Sequence, residues 1–191
     1  TKWIAITIFI ILFSSITSAS NTLSDISGHQ HEEAIKKLVE LNIINGYPDR
    51  TYKPDKSINR AEFLKIVIES SIKEDIGNEN DCFNDVKDEW FAKYACYGKS
   101  KQIVEGYSCD GTFRPAKTIN YVEALAILYR ANDDMGDVMA IDIEKNDFWY
   151  VAYTEDAKNN GIAIPGIQFD KLLNRGEMAQ IAWNYIDKKK K

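Results

Sequence analysis

Apolar residues along the chain gather in blocks of two kinds. In one kind they recur three or four residues apart, as at Ala34, Ile35, Leu38 and Val39 and again at Phe91, Tyr94 and Ala95, the spacing of a helix with one buried face. In the other kind they are nearly continuous: Phe63-Leu64 with Ile66-Val67-Ile68, Ala124 to Tyr129, and Met178, Ile181, Ala182, Trp183, Tyr185 and Ile186. A helix that is apolar around most of its circumference is a buried one. The pattern predicts an all-α fold of six helices in three pairs. The three second helices would pack as a central bundle, with the first helices and the loops outside. Polar stretches from Lys73 to Asp81 and from Asn132 to Asp137 read as links between the pairs.

The pairs are copies of one another. Asp25 to Gly46 is 21 residues, and so is Asp85 to Gly106. Each glycine opens a turn-rich loop, Gly46-Tyr47-Pro48-Asp49-Arg50-Thr51-Tyr52-Lys53-Pro54 and Gly106-Tyr107-Ser108-Cys109-Asp110-Gly111-Thr112-Phe113-Arg114-Pro115. A third copy is weaker: Trp149 to Ile162 spans 13 residues, as does Trp90 to Ile103. Asn59/Glu62, Asn120/Glu123 and Asn174/Glu177 repeat the Asn-x-x-Glu sequence of a helix-capping box. In that box the Asn caps the helix and the Glu reaches back to the cap's N–H, so these glutamates read as structural. Gly46 and Gly106 are expected to end the first helices by taking positive φ. Three segments result, residues 22–70, 82–131 and 141–187, followed by a basic tail, 188–191.

Residues 1–19 read differently. Lys2, the apolar run Trp3 to Phe13 and the small residues ending at Ala19 have the layout of a secretory signal peptide. The run is shorter than the ~20 residues a membrane-spanning helix requires, so no span is expected after cleavage. The whole chain is 45% hydrophobic, enough for a folded core, and its formal charge of −5, one unit more negative once Lys2 is removed, gives no long-range attraction to nucleic acid. An anionic ligand would have to be caught by local cations. The three cysteines, Cys82, Cys96 and Cys109, head for an oxidising compartment. Three single pairings are open; the expected one is Cys82–Cys96, leaving Cys109 free. No zinc spacing appears, and no metal or cofactor is expected.

Ile43-Ile44-Asn45-Gly46-Tyr47-Pro48-Asp49 with Ile58-Asn59-Arg60-Ala61-Glu62-Phe63, and Phe83-Asn84-Asp85-Val86, Trp90 and Asp110-Gly111-Thr112-Phe113-Arg114-Pro115, resemble the S-layer homology domain. The chain is similar to three tandem copies of it. The resemblance implies a pseudo-threefold helical spindle that binds secondary cell wall polymers in grooves between copies, often through pyruvate ketal groups. It thereby implies a secreted, non-catalytic module anchored at the cell wall or S-layer surface. An alternative is an accessory domain of a secreted exoenzyme, or a protein-interaction module with degraded glycan sites.

By resemblance the principal contact is the Arg at the start of the second helix, Arg60 and Arg175. From the residues themselves, a cation at a helix N-terminus is disfavoured by the backbone dipole. An anion docked on free N–H groups and clamped by the Arg would resolve that conflict. Arg60 is expected to work with Tyr47 and the Gly46 backbone of its own copy. Tyr47 and Tyr107 on the loops, and Trp90 and Trp149 before the first helices, are candidate sugar platforms or packing residues. Asp49, Asp110 and Gly111 of the loops, with Tyr121, complete the candidate glycan-binding set. Departures mark weak copies. Tyr121 stands where the second copy should have Arg, Arg50 where the first should have the turn Gly, and Gln30-His31 where the others have aromatics. The third copy has Pro165-Gly166-Ile167-Gln168-Phe169 for its loop, and Gly176 at its helix start. One good site and one or two degraded ones are expected.

An enzyme is disfavoured because His29 and His31 sit together at one helix start with no nucleophile pattern, and both read as solvated. An EF-hand is disfavoured because Asp49 is followed by a run with two cations and no acids.

Overall fold

The three capping boxes are formed as written. Asn59 Oδ1 accepts from Glu62 N–H at 2.9 Å while Glu62 accepts from Asn59 N–H at 3.1 Å. The same reciprocal pairs join Asn120 to Glu123 and Asn174 to Glu177. The computed structural model describes residues 23–132 and 148–190. The expected signal peptide, most of the second link, residues 141–147 and Lys191 lie outside the described residues.

Six helices follow in order: α1 (Glu32–Glu40), α2 (Arg60–Ser71), α3 (Ala92–Ser100), α4 (Tyr121–Ala131), α5 (Val151–Asn159) and α6 (Arg175–Lys188). Among the described residues there are isolated bridges but no strand. Helix α1 packs along α6, α2 on both α3 and α4, and α4 on α5. Tyr129 of α4 meets Tyr185 of α6 ring to ring at 5.7 Å. The C-terminal ends of α2, α4 and α6 close around one cavity of about 200 Å³ through Ser70, Leu128 and Tyr185. The apolar residues of the second helices are accordingly in the core: Phe63, Leu64, Val67, Leu125, Leu128, Ile181 and Ala182 are all buried. Truncating one, such as Leu125 to Ala, removes about 2–5 kcal/mol.

The first helices end earlier than the glycines suggest. Their left-handed residues are Asn42, Gln102 and Gly161, at φ 57°, 59° and 69°, each two residues past the helix. Gly106 does take positive φ, at 74°, but Gly46 does not. What Gly46 and Gly106 share is crowding, since a Cβ would stand 2.9 Å from Thr51 O or 2.7 Å from Thr112 O.

The segments are joined head to tail by the backbone just before each second helix. Ile58 N–H donates to Leu173 O, Leu173 N–H to Ile119 O, and Ile119 N–H to Ile58 O, at 2.9–3.2 Å. These three bonds close a ring. Around it the first residue of each second helix donates to the next segment: Arg60 N–H to Lys117 O, Tyr121 N–H to Lys171 O, Arg175 N–H to Lys56 O. The second residue does the same, Ala61 N–H to Pro115 O, Val122 N–H to Phe169 O and Gly176 N–H to Pro54 O.

Cys82 and Cys96 form a disulfide that ties the first link to α3, and Cys109 is exposed and unpaired. Closing a loop of this size removes about 3 kcal/mol of unfolded-chain entropy.

Candidate functional site

Each turn-rich loop is held from below by an aspartate at the start of its segment. Asp25 accepts from Tyr52 N–H and Lys53 N–H, both at 2.7 Å. Asp85 accepts from Phe113 N–H at 2.7 Å and Arg114 N–H at 2.8 Å. At the tips, Asp49 and Asp110 accept from the backbone and hydroxyl of Thr51 and Thr112. Both carboxylates are therefore committed to shaping the turn. The Thr112 hydroxyl and then Arg114 hold Asp110 down at about 2. Gly111 supplies the left-handed residue at φ 68°, and Arg50 takes the same place in the first loop at φ 61°. The loop survives the substitution with its backbone geometry kept.

The loops meet the arginines of neighbouring segments, not of their own. Arg60 is buried and its Nε donates to Phe113 O at 3.1 Å. Its guanidinium lies 5.4 Å from the Tyr107 ring and 5.2 Å from Phe113. Arg175, also buried, donates from Nε to Tyr52 O at 2.8 Å and lies 5.0 Å from the Tyr47 ring. The expectation that Arg60 works with Tyr47 and Gly46 is corrected: Tyr47 lies against Arg175, and Gly46 lines a cleft with Tyr47 and Arg50 that does not include Arg60. The ring of hydrogen bonds carries each helix start across to the following segment. A second correction concerns the anion on free N–H groups. The N–H groups of the first two residues of all three helices donate to carbonyls of the next segment, and that of the third goes to the capping Asn. No helix-terminus donor is left for a ligand, so any anion would be met by side chains.

Those side chains surround the loop tyrosines. Lys53 and Lys56 join Arg175 over the Tyr47 ring, and Arg114 and Lys117 join Arg60 over Tyr107, with Arg114 at 3.8 Å. Lys117 Nζ also donates to Tyr107 Oη at 2.8 Å and to Glu123 at 2.9 Å. Such cation–ring contacts contribute about 0.5–1 kcal/mol at exposed sites and more when shielded. Lys56 and Lys117, each three residues before a capping Asn, are thus part of the site, as are Arg114 and the Asp25/Asp85 clasps, whereas Lys171 at the same place in the third segment pairs with Glu177. The repeat alignment carried that signal, but a lysine in a polar loop reads as solvated when taken alone.

Three clefts result. In the first, of about 400 Å³, Arg60 comes from one segment, Gly106, Tyr107, Glu123 and Arg130 from the next, and Trp149 from the third. In the second, Gly46 and Tyr47 line about 300 Å³ together with Arg50. The third, about 930 Å³, lies against Tyr121, Tyr150 and the 163–169 loop. Trp90 and Trp149 are each 56% exposed, so neither belongs to the core, although Trp149 lies edge-on to Tyr150 and Tyr153. Trp149 joins the first cleft, while Trp90 rests edge-on against Phe91. His31, expected in solvent, is instead buried where α1 meets α6, with Nδ1 3.2 Å from Gln180 Oε1. It fills the seam beside Gly176, where a Cβ would stand 3.0 Å from both histidine rings. Among the described residues no group of His, Cys, Asp and Glu is arranged to hold a metal, and no helix is long and apolar enough to cross a membrane.

Residues 22–64 and 83–125 match the model of the S-layer homology domain. Among curated proteins, the chain is 35% identical over 119 residues to a cellulosome-anchoring protein of Acetivibrio thermocellus, covering 60% of this chain and 26% of that protein. It is 32% identical over 165 residues to a surface-layer protein of Lysinibacillus sphaericus, covering 84% of this chain and 14% of the relative. To an S-layer protein of Bacillus anthracis it is 26% identical over 179 residues, 88% of this chain and 20% of the relative. The chain thus spans about a quarter or less of the length of these relatives.

Proposed function

Starting from two segments that match the S-layer homology domain, we propose that the chain is a non-catalytic anchoring module of three such copies. It holds an acidic polysaccharide of the cell wall, a pyruvylated secondary polymer being the chemistry that suits it, and so resides at the wall or S-layer surface. The third copy is supported by its capping box and by the two relatives whose similarity covers 84% and 88% of the chain. A pseudo-threefold arrangement is supported by the cyclic backbone bonds Ile58–Leu173–Ile119.

The observation that carries the reading is the first cleft. Arg60 crosses from one segment to the Tyr107 loop of the next, and the exposed Trp149 of the third completes the wall. Cations around a flat ring beside a wet indole form a place where a carboxylated sugar can be both charge-paired and stacked. The arrangement with Tyr47, Arg175, Lys53 and Lys56 is a second site of the same kind. Asp49, Asp110 and Gly111 act as the loop frame, and Trp90 contributes to neither cluster.

Co-sedimentation with purified wall sacculi tests this, before and after the non-peptidoglycan polymer is removed. Binding is expected before removal only, and is expected to weaken as salt rises. Trp149→Ala, an exposed residue whose loss leaves the core intact, is expected to weaken it by about 3- to 10-fold. Undiminished sedimentation with stripped sacculi would reject a polymer ligand.

A further inference from the structure

The third cleft is the largest of the three and has the opposite chemistry. Where Arg60 and Arg175 stand in the other segments, it has Tyr121. Tyr121 is 3% exposed, lines the cleft, and its hydroxyl has no hydrogen-bond partner among the described residues. A buried hydroxyl without a partner costs about 1–3 kcal/mol, so its retention calls for an explanation. Around the same cleft the rings of Phe148, Tyr150 and Phe169 form a ladder. Phe148 and Tyr150 are parallel to 1° at 5.5 Å, and Tyr150 and Phe169 to 6° at 5.2 Å. The outer members are 67% and 50% exposed. Solvent-facing flat rings are costly to leave in water, and offset stacking leaves the outer faces open to a partner. The polar lining is uncharged on balance, with amides from Gln168 and Asn184 and one residue of each sign, Glu155 and Lys158. No arginine lines it.

We propose that this cleft is a second kind of glycan site, one that takes a neutral sugar ring. The C–H face of the sugar lies on the Phe169–Tyr150 edge of the ladder. Its hydroxyls meet Tyr121 Oη and the amides of Gln168 and Asn184. Burial holds the Tyr121 phenol up at about 12, so it stays a neutral donor. The site rests on the anchoring reading above and extends it: acidic units of a wall glycan go to the arginine clefts, and uncharged units to this one. Its larger volume suits more than one ring, since ligand sites run to about 300–1,000 Å³.

The test uses the full chain and two soluble probes, the uncharged tetramer of N-acetylglucosamine and a glucuronate-containing tetrasaccharide, titrated by ligand-observed NMR. The neutral probe is expected to bind with little dependence on salt. Phe169→Ala should weaken it by about 3- to 10-fold, and Tyr121→Phe by about 2- to 10-fold. Both variants should keep the parent's affinity for the acidic probe, and Tyr121→Phe should melt no lower than the parent. Loss of acidic binding in Tyr107→Ala, with neutral binding kept, separates the two sites. If the acidic probe fails to bind but the neutral one behaves as described, the anchoring reading falls and this site stands. The proposal is overturned if the neutral probe does not bind the parent at millimolar concentration, or if both third-cleft variants bind it as the parent does.

Discussion

Arg60 and Tyr121 occupy the same position, the first residue after the capping Asn, and their backbones make the same bond to the following segment, at 3.0 Å and 2.9 Å. The side chains part company there. Arg60 spends Nε on Phe113 O and lays its guanidinium between two rings, so the loop it reaches is drawn in and framed by cations. Tyr121 reaches a loop with no tyrosine to cover and no partner for its hydroxyl, and the space beside it opens to about 930 Å³. The scaffold is set by backbone bonds that any residue can make. The chemistry of each cleft is set by one side chain on that scaffold. A degraded copy of the Arg motif is thus a cleft of different polarity rather than a hole.

Several substitutions would break or sharpen that contrast. The largest effect is expected from Arg60→Ala. It strands the Phe113 carbonyl and empties the space between two rings, so stability should fall by about 2–4 kcal/mol. Binding to sacculi should also fall by more than the stability loss explains at low temperature. Thermal melting and sedimentation together check this, and a fully stable Arg60→Ala would show that the guanidinium is not the clasp described.

Next is Asp85→Ala. It removes the acceptor of two backbone N–H groups beneath the Tyr107 loop and should cost about 2 kcal/mol. Guanidinium unfolding would read it, with a slope unchanged from the parent. Glu155→Ala, on the rim of the third cleft, should change stability by no more than about 0.5 kcal/mol.

Smaller still is the acid behaviour of Asp110. Its folded carboxyl titrates at about 2 against an ordinary 3.8, owing to Thr112 and Arg114. A depressed carboxylate adds stability above its unfolded pKa and loses it as pH falls through the folded one. The Tyr107 loop should therefore begin to loosen only between about pH 4 and pH 2. A carboxyl NMR titration of Asp110 with a midpoint near 3.8 would mean that the turn contacts are absent in solution.

Much of this was readable from the chain because it is local. A capping box needs three residues of context, and a buried helix announces itself by being apolar all round. The six helices and the buried residues Phe63, Leu125 and Ile181 followed from that. The partner of Arg60 did not. Pairing an arginine with the loop of its own copy is the natural reading of a linear repeat. A closed ring advances every contact by one segment, and the handedness of that ring is a property of packing, not of spacing. His31 was misread for the same reason, since its burial depends on α6, which lies far along the chain. The third-cleft ladder was missed because Phe148 looks like a scattered surface aromatic and Phe169 reads only as the end of a degraded loop, with nothing in the sequence to show that both stack on Tyr150.

The hydrogen-bonded ring also has a mechanical meaning. The first segment is bonded to the third as well as to the second, and α1 lies along α6. A pull on α6 therefore cannot peel the segments off one at a time, as it could from an open stack of repeats. Detaching the third segment means shearing its bonds to two neighbours and the α1–α6 seam together. Load entering at one end is shared around the whole circle before anything yields.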